Sequence, residues 1–194
     1  MKNTLPQPEQ RVGVFVDIQN MYYSAKHLFD SKVDFGKILA EAVAGRKLIR
    51  AMAYVIKADV GEEAHFFEAL NSQGYEVRVK ELQTFYSGVK KGDWDVGVSM
   101  DVVRLASKID VVVLVSGDGD YAELIKYVKA LGCKAEIMAF GESSSIHLRE
   151  AADDFINLSE FAEHFLIKNN GKIKKRRIIT GTKNVNKKEV KKTE

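Results

Sequence analysis

The chain has one cysteine, Cys133, so it holds no internal disulfide and suits a reducing compartment. Proline is almost missing: both copies, Pro6 and Pro8, stand in the first ten residues, leaving the rest of the 194 open to regular structure. No apolar stretch approaches the ~18 residues that a membrane span needs, and no signal-peptide core opens the sequence. The expectation is a cytoplasmic protein without membrane attachment. The four histidines, His27, His65, His147 and His164, share no ligand spacing and read as surface or interface residues.

A dominant charge of one sign is also absent from the whole, at a formal +3, but not from its parts. Beyond residue 167, 11 Lys or Arg stand against 2 acids, which leaves 19 against 25 for residues 1–167. An acidic body followed by a basic tail suits two tasks, holding cations and touching polyanions. The tail, 168–194, has no apolar periodicity and reads as disordered, and residues 1–11 read as a loose leader. One domain over 12–167 remains.

Within that domain, apolar runs alternate with amphipathic segments. Strands are predicted at 12–16, 48–56, 75–82, 111–115, 135–140 and 155–158. Helices are predicted at 20–29, 35–43, 62–73, 95–107, 121–131, 145–152 and 159–167, with 83–93 as a loop or irregular excursion. Gly45, Gly74 and Gly132 follow three of these helices as stops. Runs such as Val111 to Val115, with no polar interruption, belong to strands buried on both faces. The fold class is therefore α/β, a three-layer sandwich around a mainly parallel sheet. Right-handed crossovers bring all strand C-termini to one edge, where ligands collect.

That edge gathers acids. Asp17 ends the first strand, and Asp118 and Asp120 follow the fourth in Ser116-Gly117-Asp118-Gly119-Asp120-Tyr121. Asp95 begins a helix that starts from the same edge, while Asp101 lies about 9 Å deeper along it. Two carboxylates about 4 Å apart repel by roughly 4 kcal/mol at an effective dielectric near 20, and three by on the order of 12. A marginally stable domain relieves such a cluster by protonation or by a cation. All-oxygen ligands favour Mg²⁺ or Mn²⁺. For any single acid, helix capping is the ordinary alternative, and Asp120 before 121–131 is well placed as an N-cap. A calcium loop is excluded, because the twelfth position from Asp118 is Lys129 rather than Glu. A phosphate-binding glycine loop is excluded by the lack of Gly-Lys-Ser/Thr after a strand. A phosphotransferase that places Asp-x-Asp after a strand is disfavoured by Ala122. Lys90 and Lys91 lie beside the edge and could grip a phosphate. Trp94, Tyr22, Tyr23 and Tyr86 could stack on bases, with ordinary packing the default.

Three motifs in order resemble one family. Val14 to Asn20 resembles the opening strand of the NYN domain, a branch of the PIN-like nucleases. Lys91-Gly92-Asp93-Trp94-Asp95 through Asp101 is similar to its lysine–glycine–aspartate motif, and Ser116 to Tyr121 to its most specific signature. Leu148 through Phe155 resembles its closing helix and strand, and the match is strongest for the LabA-like group. Gln19 and Tyr121 are departures, Tyr121 standing where phenylalanine is common.

The resemblance implies a Rossmann-like sheet of order 3-2-1-4-5 and a metal-dependent ribonuclease site. Asp17, Asp95, Asp118 and Asp120 would hold Mg²⁺ or Mn²⁺, with Asn20 placing the scissile phosphate and Asp101 and Ser116 in support. The expected function is an endoribonuclease acting on single-stranded or structured RNA, with a homo-oligomer as one option for its assembly. The alternative is a non-catalytic nucleic-acid-binding or regulatory module that retains the acidic pocket. Lys174, Lys175, Arg176 and Arg177 of the tail are candidate nucleic-acid contacts.

Overall fold

The computed structural model describes residues 7–57, 63–81, 83–84 and 90–167. In chain order the first elements are β1 (Arg11–Asp17), α1 (Ile18–Phe29), β2 (Lys32–Val33), α2 (Phe35–Val43), β3 (Lys47–Lys57), α3 (Glu63–Ser72) and β4 (Glu76–Glu81). Then come β5 (Gln83–Thr84), β6 (Lys90–Lys91), α4 (Asp95–Ala106), β7 (Val111–Val115) and α5 (Ala122–Ala130). The last are β8 (Lys134–Ala139), α6 (Ile146–Ala151), β9 (Asp154–Asn157), α7 (Ala162–Phe165) and β10 (Leu166–Ile167).

β1 is buried from Val12 through Val16 and β7 along its whole length, the mark of strands covered on both faces. Successive side chains alternate between two cores. Val12, Val14 and Val16 pack with Met21, Ala25 and Leu28 of α1 and Ile38 of α2. Phe15 packs the other way, with Val112 and Leu114 of β7, Val98 and Val102 of α4, and Ile125 of α5. These two cores make the three layers. The sheet has six strands in the order β4-β3-β1-β7-β8-β9. Every pairing in it is parallel. This is the expected 3-2-1-4-5 order with one strand, β9, added at the far edge.

Local signals account for most boundaries. α1 presents Ile18, Met21, Ala25, Leu28 and Phe29 to the core at helical spacing. It is capped by Asp17 and ends where Asp30 turns left-handed at φ 50°. α2 is capped by Asp34 in the same manner, through Lys37 N–H.

Three segments depart from the sequence reading. Residues 83–93 were expected to be irregular, yet β5 and β6 pair antiparallel as a short ribbon. The closing helix expected over 159–167 is a 3-10 turn at Leu158–Phe161, the single-turn α7, and then β10. β10 pairs antiparallel with β2, a two-residue strand too short to carry a periodic signal. Ser31 reinforces that clasp by donating its hydroxyl to the Ile167 carbonyl at 2.7 Å. No helix among the described residues is long and apolar enough to cross a membrane.

Candidate metal centre

The strand order reverses between β1 and β7, so loops leaving these neighbours diverge and open a crevice at their C-terminal ends. Asp17 closes β1 on the same side of the pleat as Phe15, toward α4 and α5. α4 begins at Asp95, and the loop after β7 carries Asp118 and Asp120. One carboxylate oxygen from each of Asp95, Asp118 and Asp120 lies within 4.8 Å of the others. Asp17 lies outside that triad but against it. Its carboxyl is pushed up to about 6, first by burial and then by the charges of Asp95 and Asp118. Asp95 is raised by burial first, with Asp118 and Asp120 among the charges that add to it.

Each acid has a local anchor. Asp17 accepts the Asn20 N–H at 3.0 Å and so caps α1. Asp118 accepts the Asp120 N–H at 3.0 Å, and its own N–H bonds to Ser116 Oγ at 3.2 Å. The sequence offered Asp120 as an N-cap for the helix after it. In the structure Asp118 caps a 3-10 turn at Gly119–Tyr121 that holds Asp120, and α5 starts after Tyr121 with no side-chain cap. The Asp120 carboxylate therefore stays exposed at the crevice.

Tyr121 donates its hydroxyl to Asp95 Oδ1 at 3.1 Å and orients that carboxylate. Burial first, and then the negative charges of Asp17 and Asp95, push its pKa upward, so the hydroxyl keeps its proton. Sequence reasoning noted Tyr121 as a departure from phenylalanine and missed what its added oxygen does.

Asn20 accepts the Gly117 N–H at 2.9 Å through its Oδ1, tying the first turn of α1 to the loop after β7. That bond makes it a positioning residue. Ser143 to Ser145 brace the same loop from the other side: Ser145 N–H donates to the Gly117 carbonyl at 2.9 Å. A Cβ on Gly117 would lie 2.9 Å from the Ser143 carbonyl oxygen, and one on Gly119 2.8 Å from Ser145 Oγ. At Gly117 it is backbone that passes too close for a side chain, and at Gly119 it is the Ser145 side chain.

Asp101 is not brought into the cluster. It accepts from Tyr54 Oη at 3.2 Å, which holds α4 to β3, and from Arg104 Nη1 at 3.3 Å within α4. Trp94 is likewise an anchor: its Nε1 donates to the Val55 carbonyl at 2.9 Å and its ring packs on Tyr54 at 5.3 Å. A Cβ on Gly97 would lie 2.4 Å from the Trp94 ring, so the glycine two residues into α4 makes room for it. Lys90 and Lys91 place their backbone in β6. Their side chains, Tyr86, and Lys174, Lys175, Arg176 and Arg177 lie outside the described residues.

A parallel α/β sheet with acids gathered at its switch point defines the class of protein, an α/β fold with an acidic cluster that could hold a metal ion. The NYN domain profile matches residues 11–160, and the chain belongs to that family. It is 27% identical over 162 residues to the low amplitude and bright protein LabA of Synechococcus elongatus, covering 77% of this chain and 84% of that one. A crystal structure of VPA0982 from Vibrio parahaemolyticus, a protein of unknown function, superposes with a TM-score of 0.76 at 28% identity. That likeness covers 84% of this chain and all of the other. Membership in the family points to a nucleic-acid-related function.

Proposed function

We propose that the protein is a Mg²⁺- or Mn²⁺-dependent endoribonuclease that cuts single-stranded or structured RNA in the cytoplasm. The observation that carries this reading is the gathering of Asp95, Asp118 and Asp120 within 4.8 Å, with Asp17 against them, at the switch point of an NYN fold. The donor set is all oxygen, which suits a hard divalent cation. Asp95, Asp118 and Asp120 would hold the ion and Asp17 would anchor it from the end of β1. The ion supplies Lewis acidity, lowering the pKa of a water and neutralising charge at the phosphate.

The chain's own contribution is to keep four carboxylates converged at their electrostatic cost. Tyr121 fixes the orientation of Asp95, and the Asn20–Gly117 and Ser145–Gly117 bonds fix the loop that carries Asp118 and Asp120. The excess of basic residues beyond position 167 supports a sequence-independent grip on RNA phosphates.

The test is cleavage of mixed RNA by the full chain with Mn²⁺, Mg²⁺ or EDTA. Cleavage should require a divalent ion, and Asp118→Asn should lower it at least about a hundredfold, as losing a transition-state charge contact does. Wild-type protein that binds RNA but cuts no faster than Asp118→Asn under either ion overturns the reading and leaves a regulatory module.

A further inference from the structure

The acidic cluster opens at one end into a groove between α4 and α5. Its lining starts at Asp120 and continues through Ser99, Val103, Leu124 and Tyr127, with Glu123 and Lys126 on the rim. Both helices set out from the cluster, so the groove is continuous with it. Ser99 and Val103 follow Asp95 by four and eight residues, and Tyr127 follows Asp120 by seven. At about 1.5 Å per residue the groove runs roughly 10 Å from the acids. That is the reach of one nucleotide from its phosphate to the far edge of its base.

The surface along the groove is apolar and aromatic where solvent-facing helix residues are ordinarily polar. Val96 is 73% exposed, Met100 46% and Tyr127 52%. From α4 it is Ser99 and Val103 that line the groove, while Val96 and Met100 lie on the exposed face of the same helix beside them. Val103 also packs on the core, but Val96, Met100 and Tyr127 serve neither the core nor the acidic cluster. A wall that sets Val103, Leu124 and Tyr127 among polar side chains complements a nucleobase, which has an apolar face and hydrogen-bonding edges. Glu123 Oε1 and Lys126 Nζ, bonded to each other at 2.7 Å, offer an acceptor and donors to such edges. A phosphate fits this groove poorly, with Asp120 and Glu123 both on its border.

We propose that the α4–α5 groove seats the base of the nucleotide flanking the phosphodiester held at the acidic cluster, with Tyr127 stacking on that base. The inference rests on the ribonuclease reading for the place of the phosphate, and it narrows the substrate to RNA unpaired at this position. A base lying on Tyr127 has left its duplex stack.

The test uses the full chain, Ca²⁺ as the cation, and a short RNA carrying one 2-aminopurine at successive positions. One position should be quenched on binding. Tyr127→Phe should keep the quench, whereas Tyr127→Ala should lose it and weaken binding by about tenfold, within the range of base–aromatic stacking. An abasic residue at that position should weaken wild type as much and Tyr127→Ala hardly at all. Equal quench and affinity in Tyr127→Ala overturns the proposal. So does a change in its sedimenting mass with the quench retained, which would make the face an interface between copies of the chain. A Tyr127-dependent quench without cleavage under Mg²⁺ or Mn²⁺ overturns the ribonuclease reading and leaves the base seat standing. Cleavage without that quench does the reverse.

Discussion

With metal chelated at pH 7, Asp17→Asn is expected to be more stable than wild type by up to about 3 kcal/mol, and at pH 4 to have no advantage. The Asp17 carboxyl is pushed up to about 6 from an ordinary 3.8, by burial first and by Asp95 and Asp118 after it. The folded state thus binds the proton more tightly than the unfolded state does. Stability contributed at Asp17 is full below about pH 4, declines as pH rises, and is gone above about pH 6. Asparagine carries no charge and still accepts at the N-cap, so it removes the cost and keeps the cap. The same change should abolish cleavage and leave RNA affinity almost unaltered, because phosphate contacts from Lys and Arg do not need the ion. Urea unfolding in EDTA at the two pH values is the measurement. A mutant no more stable than wild type at pH 7 would show that no ionised carboxylate is being held there at a cost.

The second large effect lies away from the acids. Arg46, just beyond α2, is buried against Glu136 of β8, its Nη1 and Nη2 donating to the carboxylate at 2.8 and 2.9 Å. Its Nη2 also bonds the Ala42 carbonyl at 2.7 Å and its Nε the Val43 carbonyl at 3.1 Å, closing the C-terminal end of α2. Burial alone would raise the Glu136 carboxyl, but hydrogen bonds from Arg46 and Lys134 hold it below its ordinary value. Arg46→Met strips the bidentate partner and should cost about 3–5 kcal/mol. Arg46→Met with Glu136→Leu should recover most of that loss, since a paired charge can be replaced by packed apolar atoms. Denaturant unfolding of the two variants decides it, and a single mutant within about 1 kcal/mol of wild type would contradict the burial argument.

The contrast between these regions shows what the sequence made legible. The five-residue apolar run at 111–115 and the acids that follow Val16 and Val115 were readable, because a buried parallel strand has a compositional signature and its C-terminal edge is fixed by handedness. The convergence of Asp95 with Asp118 and Asp120 followed from that edge rule. Glu136 was invisible as a core charge: within 135–140 it reads as one polar letter, and its partner stands 90 positions away. Asp101 shared a motif with Asp95, yet six residues of helix carry it to Tyr54 instead. The switch of capping from Asp120 to Asp118 was not legible either, since either acid satisfies a local pattern and only the tight turn between Gly117 and Tyr121 chooses. β2 and β10 have two residues each, too few for any periodicity.

The seam between β1 and β7 also sets an order of events. Val12 lies opposite Val111 and Val16 opposite Val115, partners 99 positions apart, so the central pairing of the sheet closes a long loop. Contacts of such sequence separation form slowly and late. Asp95, Asp118 and Asp120 come from α4 and the loop after β7, whereas Asp17 joins them only once this seam is closed. The fourth carboxylate thus arrives with the central pairing of the sheet, and an ion held by all four, as proposed, would add its stabilisation to the finished sheet and slow its opening.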